Sequence, residues 1–299
     1  MRIAYLGPAG TFSEDALRQS GFASDDAIPV LCEEIPEAVE SIGRGGAERA
    51  LVPIENSIEG SVRSTLDSLV DQADSVTILG EYDHPIRSAL IARTELEPGQ
   101  IEAVLSHPQP LAQCARFLRT ELPGAELRVA TSTSSAVREV SGSERPLAAL
   151  APAAAAGIYG CVVLREGIED EPGNVTRFIW LGPRDERDAG PPDDGPPDGA
   201  VWKTTLVFSE LGADHPGALV DALLEFSQRQ INLVRIESRP LRRVLGRYRF
   251  FIDIEGREGE RGVAEAIEAL RTKADSVQIL GSYRGAATDP AGPGPAPSA

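Results

Sequence analysis

Lysine is almost missing from this chain of 299 residues: Lys203 and Lys273 are the only two, and arginine supplies the other positive charges. The formal net charge is −17. Binding nucleic acid needs clustered Lys and Arg to neutralise phosphates, so the charge argues against that class of partner. An anionic small molecule stays open, because one arginine can dominate a pocket. Cysteine is scarce as well. Cys32, Cys114 and Cys161 are odd in number, far apart and in no metal-ligand spacing, so they read as reduced cysteines packed as small apolar residues. His84, His107 and His215 are scattered, and neither HExxH nor CxxC occurs, so no metal site is expected. No apolar run approaches the ~20 residues of a bilayer span. Met1 to Gly7 enters a strand-like segment directly, without a signal-peptide layout, and a cytoplasmic protein is expected.

What is present is the composition of a globular protein, 41% hydrophobic and 25% charged, with length for about two domains. Strands and helices alternate through residues 1–182, which predicts an α/β region with mostly parallel sheet, arranged as two lobes closing on a small ligand. Residues 183–202 are rich in Pro, Gly and Asp and read as a linker. Residues 203–284 carry strand, helix, strand, strand, helix, strand, with Tyr248, Phe250, Ile252 and Ile254 in strict alternation. That order is a ferredoxin-like βαββαβ unit. Residues 285–299 read as a disordered tail.

Polar residues crowd several strand ends. Gly7-Pro8-Ala9-Gly10-Thr11-Phe12-Ser13-Glu14 follows the first strand as a Gly-rich turn and helix start, which favours an anion. Thr11 and Ser13 are candidate caps, and Ser13 a candidate ligand contact. The glycines form neither a P-loop nor a GxGxxG pattern, which disfavours nucleotides. Glu55, Asn56 and Ser57 stand at the carboxyl end of a strand, where open α/β sheets place ligands. Ser61 reads as the cap of the next helix, which leaves Asn56 and Ser57 to face a cleft. His107 and Gln109 sit at another helix start, as structural residues or ligand contacts. One hydroxyl of Thr131-Ser132-Thr133-Ser134-Ser135 must cap a helix, and the excess suggests ligand contacts. Gly173-Asn174-Val175-Thr176-Arg177-Phe178 opens a buried strand with a hydroxyl, a cationic fork and an apolar wall. Arg177 suits a substrate carboxylate, or an Asp of the chain.

Three of these segments together resemble prephenate dehydratase: Tyr5 to Ser13, Val52 to Val62, and Asn174 to Phe178. The C-terminal unit is similar to an ACT regulatory domain, through Gly217-Ala218-Leu219-Val220 and Glu237-Ser238-Arg239-Pro240. The resemblance implies a two-lobed fold like that of periplasmic binding proteins, and conversion of prephenate to phenylpyruvate, water and carbon dioxide on the way to phenylalanine. No chorismate mutase region precedes these segments, so a monofunctional chain is expected. By resemblance Thr176 is essential for departure of the C4 hydroxyl, aided by Glu55 or a neighbouring Ser. Arg177 would meet a carboxylate and Phe178 supply an apolar wall for loss of carbon dioxide. Asn56, Ser57, Thr11, Ser13, Asn174 and the Ser132, Thr133 and Ser134 hydroxyls would bind the substrate. Aromatisation drives the reaction, so no cofactor or metal is expected. The two ACT markers, with Asn232 and Leu233 nearby, would line a phenylalanine site between subunits, and Gly217 would permit close backbone approach. Feedback inhibition and a homodimer or homotetramer follow. The competing readings are an arogenate dehydratase and a non-catalytic amino-acid sensor.

Overall fold

The computed structural model describes residues 1–21, 26–186, 201–209, 211, 216–241 and 246–286. His215, most of the expected linker and nearly all of the expected tail lie outside these residues.

The first lobe holds β1 Arg2–Leu6, α1 Phe12–Gln19, β2 Ile28–Cys32, α2 Ile35–Gly43, β3 Arg49–Asn56, β4 Gly60–Ser61, α3 Arg63–Asp71 and β5 Val76–Pro85. The second holds β6 Ala89–Ala92, β7 Ala103–Ser106, α4 Pro108–Gln113, α5 Ala115–Glu121, β8 Glu126–Val129, α6 Thr133–Ser141, β9 Leu147–Ala151, α7 Ala154–Tyr159 and β10 Val162–Glu166. The chain then returns as β11 Val175–Pro183. The sheets run β2-β1-β3-β11-β5, with β4 on β3, and β10-β6-β9-β7-β8. Two crossings joining two α/β lobes is the plan of periplasmic binding proteins. The crossings meet where the Ile86 amide donates to the Asn174 carbonyl at 2.8 Å.

Two sequence expectations change here. The second sheet is parallel only across β9, β7 and β8, while β6 pairs antiparallel with both β9 and β10. A parallel pair needs a crossover, usually a helix. Each of β7, β8 and β9 is followed by one, whereas β6 follows β5 directly. The periodicity of Leu111, Cys114, Ala115 and Leu118 predicts one helix, yet it breaks at Cys114, with φ −113° and ψ 18°. Cys114 is buried in the cluster with Leu90, Val104, Leu118 and Leu150, and burial pushes its thiol up to about 12. Ala89, Ile91, Leu105 and Val137 cover the opposite face. A sheet buried on both sides explains the unbroken apolar run of β9.

Beyond the lobes lie β12 Trp202–Ser209, α8 Ala218–Ser227, β13 Leu233–Pro240, β14 Tyr248–Glu255, α9 Arg261–Arg271 and β15 Ser276–Arg284. Their sheet runs β13-β14-β12-β15 with antiparallel neighbours, the ferredoxin-like arrangement. Leu206, Phe208, Ile252 and Ile254 pack under the helices with Phe226, Val263, Ile267 and Leu270. The other sheet face is polar yet buried. Asp253 accepts from Thr205 at 2.7 Å and from Arg235 at 2.7 Å, and the Thr205 and Tyr283 hydroxyls meet at 2.8 Å.

The chain divides into two compact units. Among the described residues, one comprises those within Met1–Ala38, Leu51–Gly60 and Asp83–Phe178; the other comprises those within Val39–Ala50, Ser61–Tyr82 and from Ile179 onward. Strands β3, β5 and β11 contribute residues to both. Within the second unit the polar sheet face covers α3 and most of β5. Lys203 Nζ lies 2.6 and 2.8 Å from the two Glu81 oxygens, and Thr77 donates to the Leu280 carbonyl at 3.1 Å. A Cβ on Gly281 would stand 2.5 Å from the Ile78 oxygen, so only glycine fits there.

Candidate active site

Strand β3 ends at Asn56 and β11 begins at Val175, and the two are stitched there by more than backbone. The Ser57 amide donates to the Val175 carbonyl at 2.9 Å, and the Val175 amide donates back to Ser57 Oγ at 3.0 Å. Asn56 Oδ1 accepts from the Ile58 and Glu59 amides, each at 2.9 Å, an Asx-type turn. With its oxygen committed, the Asn56 amide nitrogen must point the other way. It donates to Asn174 Oδ1 at 2.7 Å and to Thr176 Oγ1 at 2.9 Å. The Asn174 amide then donates to Gln113 Oε1 at 3.3 Å. Gln113 Nε2 is left buried without an acceptor among the described residues.

The direction of these bonds has a chemical consequence. Thr176 Oγ1 is an acceptor toward Asn56, so its proton is available to something else. The row of amides therefore ends in two donors, the Thr176 hydroxyl and the Gln113 amide. Two donors suit a hydroxyl or carboxylate oxygen. The sequence reading missed Gln113; the signal was an amide side chain on the same helix as Gln109, one turn further on.

Strand alternation places Thr176 and Phe178 on one face of β11 and Arg177 on the other. Arg177 is gripped by Asp83 in a two-pronged pair, Nε to Oδ1 at 2.7 Å and Nη2 to Oδ2 at 2.8 Å. Of the two partners left open for it, the chain supplies the Asp. Phe178 is buried, with the His84 ring edge-on at 6.2 Å between centroids. His84 Nε2 lies 3.2 Å from Asp15 Oδ2. Burial raises the Asp15 carboxyl, but hydrogen bonds with His84 and Gln19 and the nearby Arg18 charge together outweigh it and hold the group below its ordinary value.

Thr11 is the N-cap of α1, and the Gly10 amide donates to Glu14 Oε2 at 2.5 Å. Ser13 is buried in the first turn. The Tyr159 hydroxyl of the second lobe donates to the Ala9 carbonyl at 2.8 Å. Ser132 caps α6 in a reciprocal pair with Ser135, Thr133 is buried beside it, and buried Ser134 Oγ has no partner among the described residues. His107 takes a structural role here, capping α4 by accepting from the Gln109 amide at 3.4 Å. Ser61 is not a cap: α3 starts from Val62, and Ser61 Oγ lies 3.3 Å from Glu237 Oε2. Asn56 is not free but buried and fully bonded. Glu55, next to it on β3, alternates to the opposite face and makes no hydrogen bond to Thr176 among the described residues.

In the βαββαβ unit, Gly217 caps α8 with φ +99° and nothing within 4 Å of a Cβ placed there. Backbone conformation, rather than crowding, selects glycine at this turn. Ala218 and Leu219 open α8, and Val220 and Leu224 are exposed on it. On β13, Leu233, Glu237 and Arg239 are partly buried, whereas Val234, Ile236, Ser238 and Pro240 are exposed. The exposed Asn232 accepts the Glu255 amide at 3.0 Å through its backbone carbonyl.

A two-lobed α/β region with a hydroxyl and amides gathered at one strand end, followed by a βαββαβ unit, has the make-up of a small-molecule enzyme carrying a second, ferredoxin-like domain. The prephenate dehydratase family model matches residues 3–186, and the ACT domain model matches residues 206–272. The chain belongs to the prephenate dehydratase family, which makes it a carbon–oxygen lyase. It is 41% identical over 291 residues to the prephenate dehydratase of Mycobacterium sp. (strain JLS), covering 94% of this chain and 88% of that protein. The crystal structure of prephenate dehydratase in complex with L-Phe from Arthrobacter aurescens matches with a TM-score of 0.82 at 37% identity, covering 99% of this chain and 94% of that one. A structure described as GqqA, a novel type of quorum quenching acylases, matches with a TM-score of 0.81 at 28% identity, covering 96% of this chain and 99% of that one.

Proposed function

We propose that the site around Thr176 converts prephenate to phenylpyruvate, with carbon dioxide and water as the other products, in the formation of phenylalanine. The observation that carries this is the bond from Asn56 to Thr176 Oγ1, because an oxygen that accepts there keeps its own proton for a ligand. The C–C bond to the ring carboxylate breaks, its electrons aromatise the ring, and the C4–O bond breaks. Hydroxide is a poor leaving group, so the departing oxygen needs a donor as charge builds on it. Thr176 is that donor, Gln113 a second, and bulk water restores the proton. Asn56, Ser57 and Asn174 hold the geometry. Phe178, buried on the same face of β11 as Thr176, keeps the surroundings apolar. The first-turn amides of α1 and α6, beside Thr11, Ser13, Thr133 and Ser134, supply N–H groups for the substrate's carboxylates. Arg177, with its fork filled by Asp83, braces β11 rather than clamping substrate.

Regulation belongs to the same reading. Residues 1–182 act as the catalytic domain and 203–284 as the ACT domain. Phenylalanine binds beside Gly217 and Ser238 and inhibits. The exposed Val220, Leu224, Val234 and Ile236 are the surface a second copy covers, in a homodimer or homotetramer. No helix among the described residues is long and apolar enough to cross a membrane, which fits a cytoplasmic biosynthetic enzyme.

An acylase reading needs a nucleophile activated by a base. Thr176 has an amide as partner instead, which favours the dehydratase. The test is phenylpyruvate absorbance in alkali after mixing the protein with prephenate, with and without phenylalanine. Product that phenylalanine suppresses is expected. Faster turnover of arogenate would reassign the substrate, and binding without product would leave a sensor.

A further inference from the structure

Glu237 and Arg239 belong to the segment expected to line the effector site, yet their side chains go elsewhere. A strand sends alternate residues to opposite faces. Beyond the irregularity between Leu233 and Arg235, the partly buried residues of β13 are 235, 237 and 239, and the exposed ones are 236, 238 and 240. Arg239 Nη2 lies 2.6 Å from Asp67 Oδ2 on α3, with both side chains only 16% exposed. Glu237 Oε2 accepts from Ser61 Oγ at 3.3 Å. Both contacts fall within one compact unit. We propose that Glu237 and Arg239 are couplers rather than ligand contacts: they link the effector strand β13 to Ser61 and Asp67, and through the chain before Ser61 to the catalytic amide row.

The coupling runs along the backbone. Ser61 follows Gly60, with which it forms β4, paired on β3. Two residues earlier, the Ile58 and Glu59 amides hook onto Asn56 Oδ1, and Asn56 orients Thr176. A shift of Ser61 pulls on this turn. A turn that lets go of Asn56 Oδ1 frees the amide to rotate, and the Thr176 proton loses its direction. An effector can shift such an equilibrium only through contacts that differ between two states. A ligand on the outer face of β13, beside Ser238 and Gly217, alters the strand. The inner-face side chains carry that change to α3. Arg239 and Asp67 are largely desolvated, so a change that parts them leaves a poorly hydrated charge and costs more than parting an open surface pair.

The inference rests on the phenylalanine reading, so the two must fail separately. The experiment uses full-length protein, isothermal titration with L-phenylalanine, and prephenate turnover across a phenylalanine series. Wild type should bind phenylalanine and be inhibited; absence of binding overturns the effector reading and the coupling with it. Asp67→Asn should bind phenylalanine within about threefold of wild type and keep its uninhibited turnover. Its half-inhibiting concentration should rise at least tenfold. Arg239→Gln should do the same. The exchange pair Asp67→Arg with Arg239→Asp should recover part of the inhibition. If Asp67→Asn is inhibited like wild type, the coupling is wrong. If Arg239→Gln abolishes phenylalanine binding, Arg239 is a ligand contact and the proposal falls. Circular dichroism of each variant excludes loss of fold as the cause.

Discussion

Thr176→Ala removes the hydroxyl that Asn56 orients, and kcat should fall by roughly 10²–10⁴-fold with KM little changed, as for loss of a positioned acid. Asn56→Asp is the sharper variant. A carboxylate there accepts a hydrogen bond from the Thr176 hydroxyl instead of donating one to it, which takes the proton away from substrate, so kcat should fall almost as far although the side chain keeps its shape. Steady-state turnover of prephenate checks both. Arg177 and Asp83 call for a cycle. If the pair is a brace, Arg177→Gln and Asp83→Asn should lower activity alike, and the double variant should add little. A KM increase in Arg177→Gln alone would return Arg177 to the substrate. Much at this scale was legible, because a hydroxyl, an amide and a cation cluster near strand ends for few reasons. The partners were not. Asp83 lies 94 residues from Arg177 and Asn56 lies 118 from Asn174, and no local pattern announces contacts that the sheet order creates.

Among the elements, α6 shows best what local chemistry specifies. Ser132 and Ser135 cap it reciprocally, so Ser132→Ala should cost about 1 kcal/mol of stability, measured by urea denaturation. Most strands and helices could be read from periodicity, including the alternation of β14. The errors share a cause, since short-range signals were followed where a tertiary contact decided. Ser61 has the chemistry of a cap, but Glu237 holds its hydroxyl and α3 begins without one. Cys114 continues a helical repeat, but burial in the second lobe's core accompanies a break in the backbone. The antiparallel β6 follows from where the chain crosses between lobes, which apolar runs alone do not encode.

At the scale of the whole molecule, the polar face under the regulatory sheet is the exposed flank of its stability. Burial raises the Asp253 carboxyl, yet Arg235, Thr205 and Lys203 outweigh it and hold it below the usual range. A depressed folded-state value means stability is gained above the ordinary carboxylate pKa of about 3.9 and lost as pH falls through the folded value. Asp253→Asn should cost about 3–5 kcal/mol near neutral pH by stranding Arg235. Urea midpoints of the two proteins should converge as pH drops below about 4. The composition gave no hint of this network; it is visible only once four strands lie side by side.

The near absence of lysine now takes on a practical meaning. Of the two lysine ammonium groups in the chain, Lys203 is only 10% exposed and sealed against Glu81, while Lys273 is 36% exposed. An amine-selective acylating reagent at limiting dose should therefore mark Lys273 and the amino terminus and spare Lys203. Any condition that lifts the regulatory sheet from β5 should make Lys203 reactive. Mass spectrometry of the peptide carrying Lys203 then serves as a natural gauge of that separation, with no label introduced and no residue changed.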